Sequence, residues 1–197
     1  MQQVIRQTKA RVFAGDTHAE CKIVSLFELT TEGIRKGKAG KPTEFGKMVK
    51  LQEAEKQIVI AYEVYDQRPS DQDLLMAAIE THQARLGRTP HLVAADAGFY
   101  LGKNEAAAKA KGIKRVCIPN RSTKSPERKR EQRKRWFRNG QKWWTGSEGR
   151  ISVVKRWHGL NRGRYKGDAG MKRWVGLGVI ADNLVNISRA MAKQPGP

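Results

Sequence analysis

The order of apolar and polar positions predicts strands in the first third of the chain and strands alternating with helices after it. Apolar, β-branched or alternating residues predict strands at Lys22–Phe27, Glu44–Ala54 and Gln57–Tyr65, the last two as a hairpin. Two short apolar runs, His91–Ala95 and Arg115–Ile118, predict buried strands. The pattern is that of an α/β protein.

Three segments carry the signals of helices. Apolar residues recur at helical spacing between Ser70, an N-cap residue, and Gly87, a residue typical of helix ends. Lys103–Lys111 is rich in alanine, and Met171–Ala192 has an apolar face. That face consists of Trp174, Leu177, Ile180, Leu184 and Ile187. The order strand, hairpin, helix, strand, helix, strand, helix is that of the RNase H-like fold, a mixed sheet flanked by helices, although other α/β sheets share it.

The positive charge of the chain is concentrated in one segment. The whole chain has 39 Lys and Arg and 19 Asp and Glu, a net charge of +20, and residues 121–166 hold 16 of the former and three of the latter, a net charge of +13. Such a run can simply be a solvated surface. The same segment, however, holds four of the five tryptophans. Basic and aromatic side chains together suit a surface that follows phosphates and stacks bases, so we expect nucleic acid as the partner.

Other features of the sequence exclude several classes of protein. The longest apolar run, Trp174–Ala181, is far shorter than the ~20 residues of a membrane-spanning helix. The first residues lack the apolar core of a secretory signal. Cys21 and Cys117 have no metal-type spacing and indicate reduced thiols. We therefore expect a cytoplasmic protein that has no membrane partner.

Asp96 is the first candidate for chemistry. It follows the apolar run His91–Ala95, and Gly98 behind it permits a sharp turn or a close approach to a ligand. A carboxylate is costly inside a sheet and useful at its rim. An ordinary aspartate in a turn explains the same pattern.

Glu148 is the second candidate, because it is one of only three acids in the basic segment. A helix that begins near Ser147 would place Glu148 and Lys155 on one face, two turns apart. The acid could bind a metal or balance the charge of Arg150. Two carboxylates on neighbouring elements would suit phosphoryl transfer with two divalent ions, and Mg²⁺ prefers oxygen ligands of this kind.

Three motifs together resemble bacterial insertion-sequence transposases of the DDE type. They are VSLFELTTEGIRKGKAGKPTEFGKMVKLQEAE (Val24–Glu55), VAADAGFY (Val93–Tyr100) and WFRNGQKWWTGSEGRISVVKRWHGLNRGRYKG (residues 136–167). The likeness extends over nearly the whole chain. It implies an RNase H-like catalytic domain in which three acids bind two Mg²⁺ or Mn²⁺ ions and cut and join DNA at the ends of the element.

The resemblance also assigns residues. Asp96 matches the second acid, Glu148 matches the third, and Lys155 matches a lysine that contacts the terminal DNA phosphates. It implies that Asp96 and Glu148 hold the metal, that DNA is the partner, and that copies of the chain assemble in a synaptic complex. The residues expected to hold DNA are Trp143, Trp144, Arg150, Lys155, Arg156, Arg162 and Arg164.

The sequence departs from the family at three places. Gln141 and Trp144 stand where many relatives carry a tyrosine and an arginine. The first acid has no clear counterpart, because Asp16 lies in a polar turn and Glu28 is the wrong acid type. We interpret the chain as the C-terminal part of a transposase whose first aspartate lies upstream, in an incomplete RNase H-like domain.

Three parts are expected along the chain: the core of the catalytic domain (1–120), a basic, aromatic insertion (121–145) and a helical part with the third acid (146–197). Two functions remain open. One is transposition by two-metal cleavage and strand transfer, and the other is DNA binding by a remnant without catalysis. A different RNase H-like nuclease, such as a resolvase, fits less well because the whole-chain likeness is to transposases.

Overall fold

The structure is a computed structural model that describes residues 1–19, 21–26, 28–29, 31–35 and 43–193. The helices are α1 (Gln2–Ala14), α2 (Leu74–Leu86), α3 (Gly102–Ala110), α4 (Pro126–Arg133), α5 (Arg135–Trp157) and α6 (Gly167–Ala192). The strands are β1 (Glu32–Arg35), β2 (Thr43–Gly46), β3 (Met48–Glu53), β4 (Val59–Tyr65), β5 (Leu92–Ala94) and β6 (Arg115–Cys117). Three short 3-10 turns cover Glu55–Gln57, Asp71–Asp73 and Ala97–Phe99. The predicted mixed α/β class is confirmed.

The strands form three separate pairs. β1 pairs with β2 and β3 pairs with β4, both antiparallel, whereas β5 and β6 are parallel and are connected through α3. Within the described ranges no hydrogen-bonded ladder joins one pair to another. These strands therefore do not form the single sheet of an RNase H-like domain.

The predicted hairpin is present, but its first strand is shorter than expected. β3 and β4 pair from Met48 opposite Tyr65 to Glu53 opposite Val59. The predicted strand Glu44–Ala54 is divided at Lys47, because that residue leaves the ladder and its buried ammonium group bonds the carboxylates of Asp66 and Asp168. Residues 36–42, which precede this strand, lie outside the described residues.

The strand predicted at Lys22–Phe27 is wrong for residues 22–26, and Phe27 lies outside the described residues. Both backbone groups of Ile23 are bonded by one side chain of α1. The Gln7 amide nitrogen donates to the Ile23 carbonyl at 3.0 Å, and the Ile23 N–H donates to the Gln7 amide oxygen at 2.8 Å. This glutamine satisfies the groups that a neighbouring strand would otherwise bond.

Local sequence signals predict where these helices end better than where they begin. α2 ends as predicted at Gly87, which adopts the left-handed conformation (φ 65°). It begins at Leu74 after a 3-10 turn, and the side chain of Ser70 makes no capping bond. α3 occupies the segment predicted at Lys103–Lys111.

The basic segment folds into α4 and α5. Ser125 caps α4 by accepting a bond from the Arg128 N–H at 3.2 Å, and Pro126 occupies its first turn. α5 begins at Arg135 rather than near Ser147, and it passes without interruption through the boundary predicted between residues 145 and 146. Glu148 thus lies in the middle of a long helix.

Two apolar clusters form the core. The larger lies between α2, α3 and the β5–β6 pair and includes Leu75, Ile79, Ala95, Ala108, Ile113, Val116 and Ile118. The smaller joins the β3–β4 hairpin to α6 and includes Val59, Val64, Val175 and Val179. α5 also buries side chains at both ends of its length, Phe137 and Val154.

α5 packs directly on β6 at Gly140. A Cβ atom at this position would lie 2.6 Å from the Cys117 sulfur and 3.7 Å from a methyl group of Leu92. The Cys117 thiol also bonds the Phe137 carbonyl at 3.0 Å. Only glycine permits this approach of helix and strand, so residue 140 fixes where α5 lies on the β5–β6 pair.

We predict that Gly140→Ala lowers the free energy of unfolding by about 1–2 kcal/mol, because overpacking outweighs the better helix propensity of alanine. The control is Gly146→Ala in the same helix, where an added Cβ meets nothing within 4 Å. That change should raise the free energy of unfolding by about 0.5–1 kcal/mol. Urea unfolding followed by circular dichroism measures both, and equal effects would contradict the packing argument.

Candidate active site and nucleic-acid interface

Asp96 lies at the rim of the β5–β6 pair, as predicted. It follows β5 and caps the turn Ala97–Phe99, where its carboxylate accepts a bond from the Ala97 N–H at 2.5 Å. About half of its side chain is exposed (48%), and the Arg121 guanidinium lies 3.8 Å away. The carboxylate therefore has a structural bond on one side and remains open to solvent on the other.

The turn after Asp96 is packed against a second carboxylate, that of Asp71. A Cβ atom at Gly98 would lie 2.9 Å from Asp71 Oδ2. The contact explains why glycine stands at this position, because a larger residue would displace Asp71. Asp71 follows the hairpin in sequence and was not a candidate, since it reads there as a residue at the start of a helix.

One backbone oxygen links the turn of Asp96 to α5. The Cys117 carbonyl accepts the Ala95 N–H at 3.4 Å and the side-chain amide of Gln141 at 2.9 Å. Gln141, Glu148 and Lys155 are spaced by seven residues and share one face of α5. Gln141 therefore brings the start of this face to the strand end at which Asp96 stands.

Glu148 lies on this face about 10 Å further along the helix axis. Its side chain is exposed, and the structure records no ion pair between it and any residue that it describes. The interpretation of Glu148 as a partner of Arg150 is not supported by these contacts. Lys155 follows two turns later and is half-buried.

A groove of about 570 Å³ lies along the first half of this face. It extends from Arg121, the neighbour of Asp96, to Thr145, which is one turn before Glu148. Its floor includes Phe137 and Pro119. Four cations line it, namely Arg121, Lys129, Arg138 and Lys142. None of these four cations was predicted from the sequence to bind DNA. A prediction that α5 begins at Arg135 would have placed Arg138 and Lys142 on this helix.

A second basic pocket, of about 500 Å³, lies at the end of α5. It brings together four of the residues predicted to hold DNA, which are Lys155, Arg156, Arg162 and Arg164. Gly159, Asn161 and Gly163 complete its wall. Arg164 also lies 5.9 Å above the ring of Trp174. The four cations present a concentrated positive charge in a concave surface, which suits an anionic group.

Arg150 does not lie on this surface, although it was predicted to hold DNA. Only 8% of the residue is exposed. Its guanidinium lies 3.3 Å from the Asp182 carboxylate and 3.3 Å from the Asn186 side-chain oxygen, and it also bonds Gln57. Arg150 therefore ties α5 to α6 and to the turn before β4.

The cluster around Arg150 contains further buried polar groups. His158 lies 3.5 Å from Asp182, and Glu53 lies 4.0 Å from Arg150. Burial raises the pKa of the Glu53 carboxyl above its ordinary value, in opposition to the Ser147 hydroxyl and the Arg150 guanidinium. Arg150 therefore serves folding as part of this buried polar cluster, although it belongs to the basic segment.

The predicted stacking residues are less exposed than one other tryptophan. Trp143 and Trp144 are both half-buried on α5. Trp136 packs edge-on against Phe137, with the Arg115 guanidinium 5.6 Å from its ring. Trp157, by contrast, is 78% exposed beside the basic pocket. Of these four tryptophans, Trp157 is the best placed to stack on a base. Its position at the end of α5 shows this, and the sequence does not.

The candidate metal ligands fit Mg²⁺ in chemical type. Asp96 and Glu148 offer hard oxygen donors, and Mg²⁺ is commonly held by one or two carboxylates together with water and substrate phosphates. Within the described ranges, no three Asp, Glu, His or Cys side chains lie together as a ready metal site.

None of the helices in the described part of the chain has the length and apolar character needed to cross a membrane.

Comparison of the chain with protein-family models, curated proteins and solved structures returns no match. The arrangement of α5, with Glu148 and its cations, is therefore the basis for assigning a function.

We predict that Arg150→Met lowers the free energy of unfolding by about 3–5 kcal/mol, because it leaves the Asp182 carboxylate buried without its partner. Arg156→Met, an exposed cation six residues later, should change it by no more than about 0.5 kcal/mol. Urea unfolding of both variants checks the difference. A similar small effect for the two would show that the buried cluster is not formed.

Proposed function

We propose that this chain belongs to a DDE transposase, which binds DNA and takes part in phosphodiester cleavage and strand transfer. The observation that carries the proposal is the layout of α5. This helix is docked on the strand end that carries Asp96, it presents Glu148 at its centre, and it has basic concavities on both sides of that acid. Carboxylates flanked by cations are what cleavage of a polyanionic backbone requires.

In this proposal the residues have distinct roles. Asp96 and Glu148 would hold Mg²⁺ or Mn²⁺, which would supply activation of the attacking oxygen and stabilisation of the leaving one. Lys155 and the pocket cations hold the phosphates that follow the reacting bond. The cations of the groove hold the backbone along the first half of α5. Arg150 contributes only by stabilising the fold.

The RNase H-like arrangement is also part of the proposal. A strand between the β3–β4 hairpin and the β5–β6 pair would unite them into one sheet, and a family member carries its first acid on such a central strand. The β3–β4 hairpin and the β5–β6 pair, each packed against helices, are the elements that such a strand would join.

DNA binding without catalysis is the second candidate. The observation that favours it is that no three Asp, Glu, His or Cys side chains among the described residues lie together as a metal site. Both candidates share the basic surface, and they differ in whether the chain cleaves DNA.

We predict that the affinity for a DNA duplex falls steeply with salt. Each Lys or Arg that contacts a phosphate contributes about −0.9 to the slope of log K against log [salt]. Arg156→Gln with Arg162→Gln should make this slope about 2 less steep, as measured by fluorescence anisotropy. The control pair is Lys9→Gln with Arg11→Gln, two exposed cations on α1. Equal slopes for the two variants would contradict the placement of DNA at the pocket.

We predict that Asp96→Asn and Glu148→Gln each reduce Mg²⁺-dependent nicking of supercoiled plasmid by about 100-fold or more, because each removes a charge that stabilises the reaction. Glu127→Gln, an exposed acid of the same basic segment, is the control and should nick normally. DNA affinity is measured for every variant. Nicking by the unaltered chain that neither substitution reduces would contradict the first candidate.

A further inference from the structure

The outer face of α6 carries a continuous apolar stripe. Its side chains are largely exposed, with Leu184 at 61%, Met191 at 67% and Ile180 at 57%. Leu177 (50%) and Ile187 (44%) complete it. The opposite face of α6 is the buried one, where Val175 and Val179 join the smaller core cluster. The apolar face predicted from the sequence is therefore present, and most of it points away from the rest of the described chain.

The spacing of the stripe is that of a helix-pairing seam. Residues 177, 180, 184, 187 and 191 alternate three- and four-residue steps, the a/d pattern by which one helix packs along another. A helix that only borders solvent has no need of this regularity. Four turns of it indicate a partner helix of similar length.

The surface area of the stripe supports a missing partner. The stripe offers roughly 500 Å² of apolar surface, so two copies joined along it would bury about 1,000 Å², the lower limit for a specific interface. A single stripe is thus just sufficient for a pair.

The charge along α6 favours a second copy over nucleic acid. Between residues 177 and 191 the charged residues are Asp182, which is buried against Arg150, and Arg189. This face has little to attract a polyanion and little charge that would oppose a second copy.

We propose that a second copy of this chain docks on the α6 stripe, α6 against α6, in a two-fold symmetric dimer. The same stripe serves on both copies, as an isologous interface requires. Leu184 lies at the middle of the stripe, so the two Leu184 side chains meet near the two-fold axis. The proposal is independent of the proposed reaction and of DNA.

The first test is the mass in solution, measured by size-exclusion chromatography with light scattering on nuclease-treated protein at high salt. The expected mass is twice 22.2 kDa at micromolar concentration. Association through DNA would be lost under these conditions, whereas an apolar seam persists. A monomer throughout this range would overturn the proposal.

Variants locate the interface. Leu184→Glu should raise the dimer dissociation constant by about 100-fold or more, because two carboxylates would be buried together at the axis. Phe13→Glu is the control, since Phe13 is 82% exposed on α1, and its dimer should be unchanged. Circular dichroism confirms that both variants are folded. A dimer that survives Leu184→Glu would place the interface elsewhere and refute the proposal.

A cross-linking experiment provides a second measurement that does not depend on disrupting the seam. In a Cys21→Ser background, which removes the exposed native thiol and leaves the buried Cys117, Leu184→Cys should form a disulfide-linked dimer on mild oxidation. Phe13→Cys should remain monomeric on a denaturing gel. Equal cross-linking of the two would refute the α6 interface.

Discussion

The contact between Gly140 and Cys117 determines where α5 lies, and the candidate site depends on that helix. The helix has no room to move closer to β6, and a side chain at residue 140 would force it outward. On the same helix the Gln141 amide bonds the Cys117 carbonyl, beside the strand end that carries Asp96. Because a helix is rigid over its length, this anchor and the Arg150 contacts further along α5 together determine where Glu148 and Lys155 lie.

The far end of α5 is held by different physics. Arg150 and Asp182 form a buried ion pair supported by Asn186 and Gln57. Such a pair contributes little net stability compared with an apolar core, but it is costly to break once formed, and its hydrogen-bonding geometry admits few alternatives. We infer that it specifies how α6 lies against α5. The smaller apolar cluster joins α6 to the β3–β4 hairpin instead.

The sequence predicted well what local signals control. The β3–β4 hairpin, the end of α2 at Gly87 and the two short strands around α3 follow from periodicity and turn residues. The predictions were wrong where contacts between residues distant in the sequence determine the structure. Ile23 is held by Gln7 rather than by a strand, and Arg150 is buried because Asp182 and Gln57 lie far along the chain. A cation that serves folding and one that faces solvent look the same in the sequence.

Charge and apolar surface are kept apart in this chain, and this separation has a thermodynamic consequence. Two copies joined at α6 would bring together two molecules of charge +20, whose repulsion opposes the seam at low salt. DNA bound along α5 would neutralise part of that charge. By linkage, a polyanion that strengthens pairing must itself bind the pair more tightly than the single chain. The basic surface and the apolar stripe would then reinforce each other without touching, through the electrostatic energy of the assembly.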